Sequence, residues 1–260
     1  MGQTLLTTYG QLVLYLVIIP GLLGSALVVV NHNTKQQIVN LFGFHAQIFG
    51  GCLGIIIHEF SHLIMAVIFG HKITGFRPLR IPNQNDPTDL SLGYVNHTWD
   101  QHRFYQQFGN LFIGIAPLIG NTLAILALTD WLLPELLTSW SSFVETHSFL
   151  DVSLLSGAPF SGWSVLIWLI LCSNICAGGF DLSRSDLTNA ASGLIGLVLI
   201  LAVVGGLIAL IGLSLSGFKA VMVTIAFTMG FALLVSGVTN LLVRLLGKRK
   251  SPLRPRHLRS

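Results

Sequence analysis

Six stretches of this chain are apolar for long enough to cross a lipid bilayer, and that constraint outranks every other. Hydrocarbon offers no partner to a backbone N–H or C=O. A spanning segment must therefore satisfy its own backbone, which an α-helix does within one run of roughly 20 residues. The runs cover about Gln11 to Val30, Gln47 to Gly70, Phe108 to Leu128, Gly162 to Gly178, Ala190 to Leu213 and Phe218 to Leu246. Pro20 predicts a kink in the first, because proline removes a helix donor and its ring presses on the preceding turn. Met1 to Gly10 has no Lys or Arg and no small-residue cleavage pattern ends the first run, so that run reads as a retained span. Charged residues make up only 9% of the chain, against about 25% in a soluble domain, which leaves no room for a separate soluble domain. The expected fold class is an all-α polytopic membrane protein, with about six transmembrane helices and a short β-containing cytoplasmic segment.

The charges between the runs give an orientation. The segment His71 to Arg103 holds Lys72, Arg77, Arg80 and Arg103, the loop after the fourth run holds Arg184, and a basic tail follows from Lys248. The intervening stretches differ: Asn31 to Gln37 has Lys35 as its one basic residue, and Thr129 to Ser161 has none but carries Asp130, Glu135, Glu145 and Asp151. The positive-inside bias then places both termini in the cytoplasm of a multi-pass protein of the cell membrane. The net charge of +4 lies largely in the tail, which suits anionic lipid rather than nucleic acid. Four regions follow: an N-terminal span and linker (1–46), a membrane core (47–197), C-terminal spans (198–247) and a basic tail (248–260). Within the broken segment after the second run, Ile73 to Phe76 and Leu90 to Val95 read as short strands. The aromatic stretch Trp131 to Phe160 reads as an interfacial helix. Cys52, Cys172 and Cys176 all lie in apolar runs, which argues against a disulfide framework, and buried cysteine is usually a small hydrophobe.

The chemistry lies in the second run, where His58-Glu59-Phe60-Ser61-His62 interrupts otherwise uncharged sequence. Two His four residues apart on a helix share a face and can grip one zinc ion, and the Glu beside the first can serve as general base. Ionisable residues within a span are costly, so they mark function more often than structure. The plain alternative is that the imidazoles hydrogen-bond across helices. Catalytic zinc takes a third protein ligand and leaves one position open. The few other acidic residues narrow the search to Asp181 and Asp186, at the junction of the fourth and fifth runs. Ser183-Arg184-Ser185-Asp186 also has the form of an N-terminal helix cap. His97 and His102 lie in polar sequence and read as solvated, and His45 as facing the interface. Asn121 and Asn174 are amides within spans. Each either bonds a neighbouring helix or serves the substrate backbone or the oxyanion of the reaction.

The pentapeptide in an early span, a glycine- and strand-containing stretch after it, and a Pro…Asn pattern in the next span together resemble the site-2 protease family of intramembrane zinc metalloproteases. The resemblance covers roughly residues 47–197 and implies a three-span core. In it His58 and His62 are ligands to Zn²⁺ and Glu59 is the catalytic base. Ala116-Pro117-Leu118-Ile119-Gly120-Asn121 is similar to the family's Gly-Pro…Asn element but one residue longer and without its Gly. Asn174 precedes Asp181 by seven residues and Asp186 by twelve, and neither Asp is followed by the Gly of the family's Leu-Asp-Gly. Gly93-Tyr94-Val95-Asn96-His97, followed by Phe112 to Pro117, resembles a bacterial branch of such proteins. That likeness implies that the Ser-x-x-Asp of Ser183 to Asp186 supplies the third ligand. The implied activity is hydrolysis of peptide bonds in a membrane protein or membrane-associated peptide, with an extended substrate added to an edge strand. Two other readings stay open: an inactive protease-like scaffold or regulator, and an ion-coupled transporter using Glu59 as proton carrier.

Overall fold

The structure is a computed structural model, and it describes residues 2–82, 91–139 and 161–249. In chain order the elements are α1 (Gly2–Val13), a π-helical turn (Leu14–Ile18), α2 (Ile19–Phe42), α3 (Phe44–Ile68), β1 (Lys72–Arg77), β2 (Tyr94–Thr98), α4 (Phe104–Leu132), α5 (Gly162–Gly179), α6 (Arg184–Ser192), α7 (Leu194–Ile211) and α8 (Ser216–Arg249). Among the described residues, six helices are long and apolar enough to cross a membrane, and the strands form a small antiparallel pair. The molecule is therefore mostly helical, as its apolar runs require.

The first helical run is longer than its sequence suggests, spanning Leu5–Phe42. Helix continues through Pro20. The preceding turn widens to π-helix over Leu14–Ile18, which relieves the carbonyl of Leu16 that the proline ring would meet. Asn31 to Gln37, expected to be a loop, lies inside α2. Its polar groups are met by α8: the Asn31 amide donates to Ser236 (3.1 Å), the Asn240 amide to Thr34 (2.8 Å) and the Arg244 guanidinium to Asn33 (3.2 Å). Gly43 then ends α2 with φ +83°, a conformation glycine adopts at no steric cost, and α3 starts at once.

Three helices build the core around α3. Gly51 and Gly54 face Gly178, Gly179 and the Ile175 carbonyl of α5 so closely that a Cβ on Gly54 would lie 2.4 Å from that oxygen. Small residues permit such backbone contact between membrane helices. On the other side α4 runs antiparallel to α3, with Gly109 against Phe69 and Gly120 against Ser61. The same α4 is lined from the opposite direction by α5, then α6, then the start of α7. Trp168 meets Thr129, Gly179 meets Asn121, Asp186 and Ala190 meet Gly114, and Gly196 meets Phe108. A single passage is thus interrupted at residues 180–183, and the expected fifth run from Ala190 is divided at Gly193 between α6 and α7.

Contacts along their length fix the relative direction of α2 and α8. Tyr15 meets Lys219, Gly24 meets Met229, Asn31 meets Ser236, Thr34 meets Asn240 and Leu41 meets Gly247. A nearly constant offset means that α2 and α8 run parallel. The α2–α3 turn and the C-terminal end of α8 therefore lie at the same end of the bundle. The second strand also lies later than expected, at Tyr94–Thr98 instead of Leu90 to Val95, because Leu92 is drawn into a small apolar cluster with Ile48 and Ile55. Most of the expected interfacial helix at Trp131 to Phe160, and the tail beyond residue 249, lie outside the described residues.

Candidate metal centre

One turn of α3 sets the imidazoles of His58 and His62 side by side, their Nε2 atoms 3.1 Å apart. Their Nδ1 atoms explain the pose. His58 Nδ1 donates to the Gly179 carbonyl at 3.0 Å and His62 Nδ1 to the Ile113 carbonyl at 2.7 Å. A carbonyl only accepts, so both neutral rings carry the proton on Nδ1 and turn bare Nε2 lone pairs towards each other. Two lone pairs at that separation repel unless a cation or a shared proton lies between them. Fixing a ligand's tautomer through its far nitrogen is also how proteins prepare histidine for a metal.

Asp186 completes the group. Its Oδ1 lies 3.3 Å from His62 Nε2 and its Oδ2 3.9 Å from His58 Nε2. Among the described residues His58, His62 and Asp186 form a buried set whose ligand atoms all lie within 4.8 Å of one another. Ligands about 2.0–2.2 Å from a tetrahedral zinc stand roughly 3.3 Å apart, so these three fit such an ion and leave a position open. The helix-cap reading of Asp186 holds as well. Ser183 N and Ser183 Oγ both donate to Asp186 Oδ2 at 2.7 Å, and Asp186 N donates back to Ser183 Oγ. The capping box fixes one carboxylate oxygen and presents the other to His62. Gly114 makes room for the α6 backbone here, since a Cβ on it would lie 2.3 Å from the Asp186 carbonyl.

Asp181 lies elsewhere. It is 3.0 Å from both Lys35 Nζ and His32 Nδ1 of α2. Asn121 and Asn174 are taken up by helix contacts. Asn121 Nδ2 donates to the Pro117 and Gly179 carbonyls, the second being the one that fixes His58. Asn174 accepts from Leu53 N and donates to the Phe49 carbonyl. Cys172 and Cys176 are buried free thiols in the apolar core.

Glu59 lines a cavity of about 380 Å³ together with both imidazoles and Asp186. Its carboxylate has no hydrogen-bond partner among the described residues, and it packs so tightly on Gly93 that a Cβ there would lie 2.6 Å from Glu59 Cγ. The strand segment thus folds back along α3, where Phe76 also meets Phe60. Tyr94, Val95, Asn96 and His97 of β2 form one wall of the cavity, and Asn189 of α6 forms part of another. His97 is therefore a cavity residue and not a solvated one, while His102 and His45 are exposed. Asn189 has a sequence signal that the motif reading passed over: it lies three residues after Asp186, on the same face of a helix. Burial holds the His97 imidazole down to about 4, reinforced by the neighbouring His71 and His62, and burial lowers His71 as well.

The arrangement can hold a divalent cation, expose it to a cavity and place a free carboxylate beside it. Comparison with models of protein families, with curated proteins and with solved structures finds no match for this chain.

Proposed function

We propose that the chain is a zinc metallopeptidase of the cell membrane, hydrolysing peptide bonds in membrane-embedded or membrane-associated substrates. The observation that carries this reading is the pair of imidazoles whose Nδ1–H groups are committed to backbone carbonyls while both bare Nε2 atoms and an Asp186 oxygen converge. A zinc ion held by His58, His62 and Asp186 would supply Lewis acidity towards water and a carbonyl oxygen. The free carboxylate of Glu59 takes the proton of the attacking water and returns it to the leaving amine nitrogen. Burial on α3 and the contact with Gly93 restrict where that carboxylate can point. The cavity wall formed by β2 offers a strand edge that is unpaired among the described residues, and an extended peptide is the substrate form that such an edge recognises. In this reading Asn121 supports the centre from behind, through the Gly179 carbonyl.

Metal analysis of purified protein, with Asp186→Ala, Asp181→Ala and Glu59→Gln alongside, tests the proposal. About one zinc per chain is expected in the wild type, in Asp181→Ala and in Glu59→Gln, and loss of metal in Asp186→Ala. Hydrolysis of an unfolded peptide in detergent should fall on the order of a hundredfold or more in Glu59→Gln with zinc retained. A wild-type protein that binds no divalent metal ends the hydrolase reading. Metal binding with equal hydrolysis in Glu59→Gln removes Glu59 as the base.

A further inference from the structure

The cavity wall opposite the candidate ligands carries a second pair of imidazoles that the hydrolase reading does not use. His71 Nε2 is 2.9 Å from the Gln106 carbonyl, and His71 Nδ1 is 3.0 Å from His97 Nδ1. These two distances fix the protons. The carbonyl only accepts, so His71 Nε2 carries the hydrogen, and in the neutral ring His71 Nδ1 is then bare. His97 Nδ1 must donate to it, so the neutral His97 ring is bare at Nε2. Both imidazoles stay neutral near pH 7, because burial lowers each below its ordinary value. Trp99 covers the pair, its ring stacked on His71 at 5.6 Å and lying at the same distance from His97. His97 belongs to the cavity lining, and its Nε2 has no hydrogen-bond partner among the described residues.

We infer that His97 is a substrate-binding residue whose Nε2 accepts a hydrogen bond from a backbone N–H of the bound peptide, with His71 as the positioning residue that enforces this acceptor state. The role rests on the hydrolase reading above. It differs from the task of Glu59, which takes a proton from water. A bare imidazole nitrogen offers an acceptor and no donor, which selects a donor group on the ligand. His97 belongs to β2, and a peptide laid extended beside that strand presents an N–H at every residue. The acceptor adds to the main-chain bonds of strand addition, and it holds the peptide in one register relative to the three candidate ligands.

Two measurements test this on the full chain in detergent. Nitrogen-15 shifts of labelled histidine in zinc-loaded protein should show His97 with a protonated Nδ1 and a bare Nε2, and His71 with the opposite tautomer. A protonated Nε2 on His97 overturns the inference. The second compares two probes on wild type, His97→Phe and His97→Gln: acetohydroxamate, which reaches only a metal, and a peptidyl hydroxamate, which also presents backbone N–H groups. His97→Phe should weaken the peptidyl probe about tenfold, the size of one lost hydrogen bond, with zinc content and acetohydroxamate affinity unchanged. His97→Gln keeps an acceptor oxygen and should recover most of the loss. Unchanged peptidyl affinity in His97→Phe, on protein that still binds zinc and acetohydroxamate, overturns the role of His97 alone. Zinc-free wild type that binds neither probe overturns the hydrolase reading and this role with it.

Discussion

At the scale of single residues, the centre depends on groups that touch no ligand. The Gly179 carbonyl accepts from His58 Nδ1 and from Asn121 Nδ2, both at 3.0 Å. Asn121 thus holds the oxygen that holds the imidazole. Removing such outer support typically costs 10- to 100-fold in metal affinity. Asn121→Leu should therefore weaken zinc binding about tenfold in a competition titration against a chelator, while Asn174→Leu, whose bonds go to Leu53 and Phe49, should leave it nearly unchanged. Equal effects would mean that both amides serve only helix packing. The three residues that the fold brings together were legible unequally: His58 and His62 stood out by their spacing on one helix face, whereas Asp186 was one of two acidic candidates and was favoured only through the resemblance. Asn121 drew notice as a polar residue in a span, but its partner was illegible. The Gly179 carbonyl carries no sequence signal, and the contact joins residues 58 apart. His71 and His97 were hidden for a similar reason, since only the folding back of the strands brings them together over the cavity.

At the scale of elements, the β1–β2 pair closes the cavity, and its docking should depend on pH. His97 is held at about 4 in the folded protein, against about 6.5 when unfolded or undocked. Between those values the undocked form binds more protons, so docking is fully stable above pH 6.5 and weakens as the pH falls towards 4. His71 acts in the same direction. Amide exchange within Lys72–Arg77 and Tyr94–Thr98, corrected for intrinsic rates, should accelerate between pH 7.5 and 5. Asp186→Ala should show the same acceleration, which separates it from metal loss, and His97→Phe should largely abolish it. Element type was readable from composition, whereas boundaries were not. The second strand moved downstream because Leu92 is captured by the core. The run from Ala190 divided at Gly193, where the backbone packs so closely on α4 that a Cβ would lie 2.5 Å from Leu111 Cβ, and neither event alters the hydropathy on which a span is recognised.

At the scale of the whole molecule, helix direction carries information that the charge pattern does not. The sequence shows polar residues at Asn31 to Gln37 and a basic tail, and alternation of loops assigns them to opposite sides. The structure instead uses those polar residues as a seam between α2 and α8, which makes the two helices parallel. Since α3 runs against α2 from the turn at Gly43, and α4 against α3, the helices α2, α4 and α8 share one direction, while α3 and the α5–α6 passage share the other. The α2–α3 turn and the C-terminal end of α8 then lie at one end of the bundle, and the Asp100 turn before α4 at the other. Cysteines introduced singly at His45, Lys248 and Asp100, with the three native cysteines replaced, report this directly. A membrane-impermeant maleimide applied to sealed vesicles of either orientation should label positions 45 and 248 from the same side and position 100 from the opposite side. The result does not depend on which side is cytoplasmic, because it compares positions within one protein. Labelling of 45 and 248 from opposite sides would require α8 to run antiparallel to α2. The Asn240 amide would then lose both of its acceptors, Asn33 and Thr34, and an amide buried between helices is costly to leave unpaired.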